Sequence, residues 1–215
     1  MASFDTADCL VQIRRQCRIP DVTEYPADAD LYAFLRDGEN RVKHEVGSMC
    51  PEILRGAPVL MTSADGGYTY TFGVDGESNA IAPIGHVSIY PSRSQIPFEP
   101  LISGVEYVFE GTKIRFTEYT PRTFGDGPYA QFITPTLVIA ATTTLVTLPV
   151  QLRLLAVHDA CIRYAQSGAV LDSTPYEAAY ESEFQRQIST AQLNRSAGAM
   201  RYPRETTRTF WRGGR

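Results

Sequence analysis

The chain has 215 residues, 43% of them hydrophobic and 20% charged, with a formal net charge of −4. That composition fits a globular protein of one core with an insertion, or two small cores. No apolar run reaches the roughly 18 residues of a membrane helix, and Met1-Ala2-Ser3-Phe4-Asp5 has neither the basic nor the apolar region of a signal peptide. Cys9, Cys17, Cys50 and Cys161 are scattered without a CxxC, which predicts reduced, buried thiols of a protein made in a cytosol.

Residues 6–17 read as a short helix. Leu10, Ile13 and Cys17 recur at i, i+3 and i+7, Arg14, Arg15 and Arg18 lie towards the other side, and Asp5 is a natural N-cap. Residues 19–26, with Pro20 and Pro26, form a breaker loop. A longer helix follows over 27–50, with the stripe Leu31, Phe34/Leu35, Gly38, Val42, Val46 and Met49. Gly38 costs a helix interior about 1 kcal/mol against Ala, so a close helix crossing or a kink is expected there. Pro51 ends the helix.

Helical periodicity then disappears, and Gly, Thr, Tyr and Pro become frequent. Residues 58–62 and 68–72 flank Asp65-Gly66-Gly67 as a hairpin, and His86–Tyr90 alternates like a strand. Residues 106–110 and 113–117 flank the Gly111-Thr112 turn as a second hairpin. Residues 119–128 form a long loop with Phe124 at its tip. Residues 132–139 and 143–147 are apolar and β-branched, and read as late strands.

Leu148-Pro149 opens the next helix with Pro in the first turn, and Leu152, Leu155/Ala156, Ala160 and Ile162/Tyr164 carry it to a stop at Gly168. Thr174-Pro175-Tyr176-Glu177 reads as a capping box, and Tyr176, Tyr180, Phe184, Ile188 and Ala191 form a stripe that Gly198 ends. The short link predicts an antiparallel helical hairpin. The fold expected is α+β: a four-helix bundle-like core from residues 1–56 and 149–200, an inserted β subdomain over 57–148, and an extended C-terminal arm over 201–215.

The arm holds five Arg and one Glu, a charge of +4, so residues 1–200 carry −4 − 4 = −8. Arg201, Tyr202, Arg204, Arg208, Phe210, Trp211 and Arg212 combine the side chains that dominate buried contact sites, and Trp211 is the only Trp. This reads as a docking segment, against the plainer reading of a solvated terminus.

No catalytic constellation emerges: there is no GxSxG, P-loop or HExxH. Asp65-Gly66-Gly67 and Gly125-Asp126-Gly127 lack the spaced carboxylates of a calcium loop and read as turns. His44, His86 and His158 form no pair at metal-ligand spacing, so no metal or cofactor is expected. His158 and Cys161 are at i, i+3, but Cys161 falls on the apolar face, where core packing outweighs a nucleophile pair. His44 reads as a surface residue.

The order of elements resembles the head–tail adaptor (connector, head-completion) proteins of tailed bacteriophages and gene-transfer agents. The segments that carry the resemblance are Leu148-Pro149-Val150-Gln151-Leu152 through Ala160, and Thr174-Pro175-Tyr176-Glu177-Ala178-Ala179-Tyr180-Glu181 through Phe184. The resemblance implies a non-enzymatic structural protein forming a dodecameric ring below the portal. The seven arm residues from Arg201 to Arg212 would lie against portal subunits, and a tail or stopper protein would follow. Duplex DNA would cross the channel without specific binding, which suits an acidic body, since tight binding needs clustered Lys and Arg. The location implied is the head–tail interface of a virion made in the bacterial cytoplasm. The β insertion departs from the smallest adaptors and leaves its own contact open. The alternative is a β-rich module of a phage tail or fibre that recognises a host glycan, with Tyr68, Tyr70, Tyr90, Tyr119, Phe124 and Tyr129 as stacking platforms. Ordinary cross-strand packing accounts for most of these aromatics.

Overall fold

The computed structural model describes residues 5–19, 27–63, 68–73, 80–96, 100–117, 127–136, 139, 148–168 and 171–201, with side chains to residue 193 other than those of His86 and Gln95. Within them the chain is mixed α and β, with four α-helices and two antiparallel sheets. The helices are α1 (Thr6–Gln16), α2 (Asp28–Met49), α3 (Arg153–Gln166) and α4 (Thr174–Arg201). The strands are β1 (Val59–Leu60), β2 (Thr62–Ser63), β3 (Thr69–Thr71), β4 (Ile84–Tyr90), β5 (Tyr107–Glu110), β6 (Lys113–Phe116) and β7 (Tyr129–Ile133).

Asp5 caps α1 as expected. Its carboxylate accepts from the Asp8 N–H at 3.0 Å, and Asp8 accepts from the Asp5 N–H at 3.2 Å, so Asp takes the part Glu usually plays in a capping box. The helix closes with Arg18 at φ +54° and the Ile19 N–H on the Arg14 carbonyl at 2.8 Å. This is a Schellman turn without its usual glycine, and the buried Ile19 supplies the accompanying apolar contact.

α2 runs without interruption through Gly38, and the glycine marks a close crossing. A Cβ there would lie 2.7 Å from the carbonyl oxygen of Ala156 on α3. Leu31, Leu35, Val42 and Val46 are fully buried as the stripe predicts, whereas Met49, its expected end, is 48% exposed. Buried residues of all four helices form one apolar cluster, in which Ile13, Leu35, Val42, Leu155, Cys161, Tyr180, Phe184 and Ile188 take part.

The strands form a second apolar cluster around Met61, Phe72, Ile89, Ile114 and Phe132. One sheet has the order β1-β7-β4 and the other β2-β3-β6-β5. The second hairpin is as predicted, with Glu110 opposite Lys113 and Gly111 at φ +67° between them, a conformation suited to glycine. The first expected hairpin is only half so. Thr62 and Ser63 pair with Thr71 and Tyr70, but Val59 and Leu60 pair with Ala130 and Tyr129 in the other sheet. Met61, 5% exposed, lies between the two pairings. Phe72 joins the layers, stacking on Phe109 at 5.5 Å and meeting Phe132 edge-on at 5.2 Å.

Other boundaries differ from expectation. β7 occupies Tyr129–Ile133 rather than residues 132–139. Past Ile133 the backbone turns to α2, where Asn40 takes the backbone N–H and carbonyl of Thr136 in place of a ladder. The expected strand at 143–147, most of the loop at 119–128 and Asp65-Gly66-Gly67 lie outside the described residues. Pro149 precedes a single 3₁₀ turn over Val150–Leu152, and α3 starts only at Arg153. Gly168, at φ +100°, terminates α3 as predicted. The expected capping box at Thr174–Glu177 does not form. Asp172 draws both the N–H and the hydroxyl of Thr174, at 3.0 and 2.7 Å. Ser173 flanks the helix start, its carbonyl accepting from the Tyr176 and Glu177 N–H groups and its hydroxyl donating to the Glu177 carboxylate at 2.8 Å. α4 also continues through Gly198 to Arg201; one glycine costs about 1 kcal/mol, too little to stop a long helix.

Candidate functional site

Of the seven residues expected to bind a partner, Arg201 is the last residue of α4. Tyr202, Arg204, Arg208, Phe210, Trp211 and Arg212 lie outside the described residues. The approach to this segment is described. α4 has 28 residues, about 42 Å at 1.5 Å per residue. Its core stripe works as read from the sequence: Tyr180, Phe184 and Ile188 are buried, and Tyr176 and Ala191 pack against the same cluster. Two residues beyond Ala191 the helix presents Leu193 at 70% exposure.

Beside this part of α4 lies an apolar groove of about 290 Å³, lined among others by Val46, Ile53, Leu152, Ile188 and Ala191. Met49 and Val150, from the elements that border it, are also exposed. Glu52, Gln151, Gln187 and Thr190 also line the groove, which is open and mainly apolar in its exposed wall.

A charged network covers another face of the helices. Asp159 on α3 is 1% exposed and is held by two guanidinium groups, Arg41 of α2 at 2.6 Å and Arg163 at 2.6 Å. Arg163 also approaches Asp37 at 3.8 Å. Arg41 bonds Glu45 at 2.8 Å, and the Tyr180 hydroxyl donates to the other oxygen of that carboxylate at 2.5 Å. Burial and the Glu45 carboxylate both raise the pKa of Tyr180, so it stays a donor. These groups border a polar cleft of about 500 Å³ that also includes Glu177 and Glu181. Arg41 and Arg163 pair with Asp159, Glu45 and Asp37 and so tie the helices together, while Glu177 and Glu181 leave the cleft acidic on balance.

A third polar cluster lies where α2 meets the chain leaving β7. Asn40 donates to the Thr136 carbonyl and accepts from the Thr136 N–H, both at 2.8 Å. Lys43, 3% exposed, donates to the Thr134 carbonyl at 2.9 Å and to the Thr136 hydroxyl at 2.6 Å, and that hydroxyl donates to the fully buried Glu39. Burial pushes the Lys43 ammonium down to about 8, with Glu39 opposing the shift. Sequence reading passed over this cluster, although Glu39 and Lys43 stand at the i, i+4 spacing of a helical ion pair. What it lacked was the long-range partner, Thr136.

His158 and Cys161 do not form a pair. The Cys161 thiol donates to Gln16 Oε1 on α1 at 3.4 Å, while His158 faces Glu183 on α4, with burial lowering its pKa. His44 is exposed, as expected. Among the described residues no group of three or more His, Cys, Asp or Glu is placed to hold a metal ion. Of the aromatics offered as glycan platforms, Tyr90 is buried, Tyr70 and Tyr129 are half-buried and Tyr68 is exposed. Tyr119 and Phe124 lie outside the described residues. No described helix is long and apolar enough to cross a membrane. Neither a protein-family model nor a curated protein matches the chain.

Proposed function

We propose that this protein is a non-enzymatic head–tail adaptor of a tailed bacteriophage or a related particle. In this reading it assembles as a ring, dodecameric in the related proteins, between the portal and the tail. The four helices act as a bundle-like frame, the strands as an inserted lobe and residues 201–215 as an extended arm that docks on the portal. A tail or stopper protein follows on the other side, and duplex DNA crosses the lumen without being held.

One observation carries the reading: α4 runs without a break to the first residue of the arm. Among the described side chains its buried stripe reaches Ala191 and Leu193 stands exposed, and the helix continues to Arg201, the first residue of a segment of charge +4 that contains Phe210 and Trp211. The acidic remainder of the chain, at −8, supports a channel wall that repels phosphate. Head-to-tail contacts that close into a ring supply the assembly.

Negative-stain imaging of the full chain, alone and mixed with the portal, tests this. Rings, or rings that appear only with portal, are the expected result, and a chain ending at residue 200 should fail to join the portal. Monomers under both conditions together with a glycan-array signal would replace the adaptor with a tail-fibre binding module.

A further inference from the structure

We propose that the apolar groove beside α4 is a seat for the chain's own C-terminal segment, and that in the free protein it holds the indole of Trp211. The inference concerns the isolated chain and does not depend on ring assembly or on the portal.

The groove forms where distant parts of the chain meet. Val46 of α2, Leu152 of the 3₁₀ turn before α3 and Ile188 of α4 are buried beneath it, and Ile53 and Ala191 are half-buried at its sides. A side chain that fits this lining has a large apolar body and few polar groups. Indole is such a side chain, with a single N–H donor. The Glu52 carboxylate and the amide oxygens of Gln151 and Gln187, which share the lining, are acceptors for it. A volume of about 290 Å³ lies at the lower end of the range for small-molecule pockets. It suits one bulky side chain rather than a large ligand.

The chain has a single tryptophan, and it is within reach. Trp211 stands between Phe210 and Arg212. The groove meets α4 at Gln187–Ala191, and the helix ends at Arg201. The steps from Ala191 to Arg201 cover about 15 Å of helix. The equal number of steps from Arg201 to Trp211 can extend to about 33–36 Å. The segment is therefore long enough to turn back along α4 and arrive at the groove with slack for the turn. Pro203, which lacks the N–H that a helical ladder needs, suits a change of direction just past Arg201.

Charge agrees with this pairing. The segment from residue 201 carries +4 and the remainder −8, and Arg212 follows the indole that would lie beside the Glu52 carboxylate. Tethering selects the segment of the same chain over that of a second copy, since a short link gives a local concentration in the millimolar range. Fixing the segment costs conformational entropy, which offsets much of what the contact contributes. The seat is therefore one from which a stronger site can withdraw the arm.

Because Trp211 is the only Trp, tryptophan fluorescence of the full chain reads this one side chain. In the native protein the emission maximum should lie to the blue of that in the urea-unfolded chain, and acrylamide should quench the emission several-fold less. Both values should hold across a wide range of protein concentration. Ala191→Arg, which fills the groove with a long cation, should return both to the values of the unfolded chain while the helical circular dichroism stays. Should that variant misfold, Thr190→Arg, at an exposed position of the same lining, serves in its place. Gln185→Arg, exposed on α4 and outside the lining, should change neither. Native emission equal to that of the unfolded chain would overturn the proposal and leave the portal reading untouched. So would a blue-shifted emission that survives the groove variants, which puts Trp211 elsewhere, or one lost on dilution, which gives the groove to a second copy's arm.

Discussion

Arg41 lies over the face of Tyr180, its guanidinium carbon 4.6 Å from the ring centroid, and both side chains hold the same carboxylate, that of Glu45. The contact joins α2 to α4. Through Asp159, Arg41 also reaches α3, so one cation braces three helices. Cation–π contacts contribute about 0.5–1 kcal/mol at exposed sites and more when desolvated. Arg41 is 40% exposed, which places this one towards the lower value.

Asp159 should be the critical member of the network. Asp159→Asn removes the one buried charge that Arg41 and Arg163 share. Both arginines are more than a third exposed, so water screens part of the loss, and about 1–3 kcal/mol is expected in urea unfolding. Tyr180→Phe keeps the ring and loses only the bond to Glu45, at about 1 kcal/mol. The reverse order of costs would show that Asp159 is not the hub.

Gly38→Ala should destabilise despite improving helix propensity. The gain is about 1 kcal/mol. The new Cβ would meet the Ala156 carbonyl oxygen at 2.7 Å, and that backbone atom sits in a helix with little room to give. Overpacking of this kind costs about 1–3 kcal/mol. Gly56→Ala, where nothing lies within 4 Å, is the control and should be close to neutral. Chemical denaturation of the two variants makes the comparison.

Lys43 should give stability a slope in the alkaline range. Its pKa falls from 10.5 to about 8 on folding, so between those values the unfolded chain binds a proton that the native state does not. Stability therefore rises with pH across that window, and the contribution is lost as pH falls through it. Lys43→Met should remove this part of the slope, measured by urea titration at several pH values. At neutral pH the same substitution should cost about 3–5 kcal/mol, because Glu39 stays buried without its cation. Glu39→Leu combined with Lys43→Met should cost less than the sum of the single changes.

Trp211→Ala should impair attachment to the portal while leaving the melting temperature of the isolated protein nearly unchanged. Aromatic anchors of this kind typically cost about 2 kcal/mol or more when removed from an interface. Co-sedimentation with portal and calorimetry of the free protein separate the two effects. Loss of several kcal/mol in the free protein would mean that Trp211 belongs to its own core.

The helices were legible because their signals are local. Asp5 announced the start of α1, Gly168 the end of α3, and the i+4 aromatics of α4 its buried face. Gly38 was legible as an anomaly, a costly residue with no local reason, and the reason is a backbone more than a hundred residues away. The strand region was harder. Val59 and Thr62 share one composition, yet they pair in different sheets, and a choice between long-range partners leaves no periodic trace. At Thr174 the side chain of Asp172 competed for the same donors, a contest that reading a single motif does not weigh. The polar clusters were missed because each needs a distant residue, Thr136 for Lys43 and Asp159 for Arg41.

The apposition of α2 and α3 at Gly38 has a consequence for synthesis. The apolar stripe of α2 is complete by Val46, but the helix that covers it begins at Arg153. At typical ribosomal speeds of about 5–20 residues per second, that gap lasts on the order of ten seconds. During it the stripe of Leu31, Leu35 and Val42 has α1 as its only finished helical partner. Chains released early, lacking α3, should be ready clients for chaperones and proteases. Slowing translation between residues 50 and 150 should lower the yield of folded protein more than slowing it after residue 170.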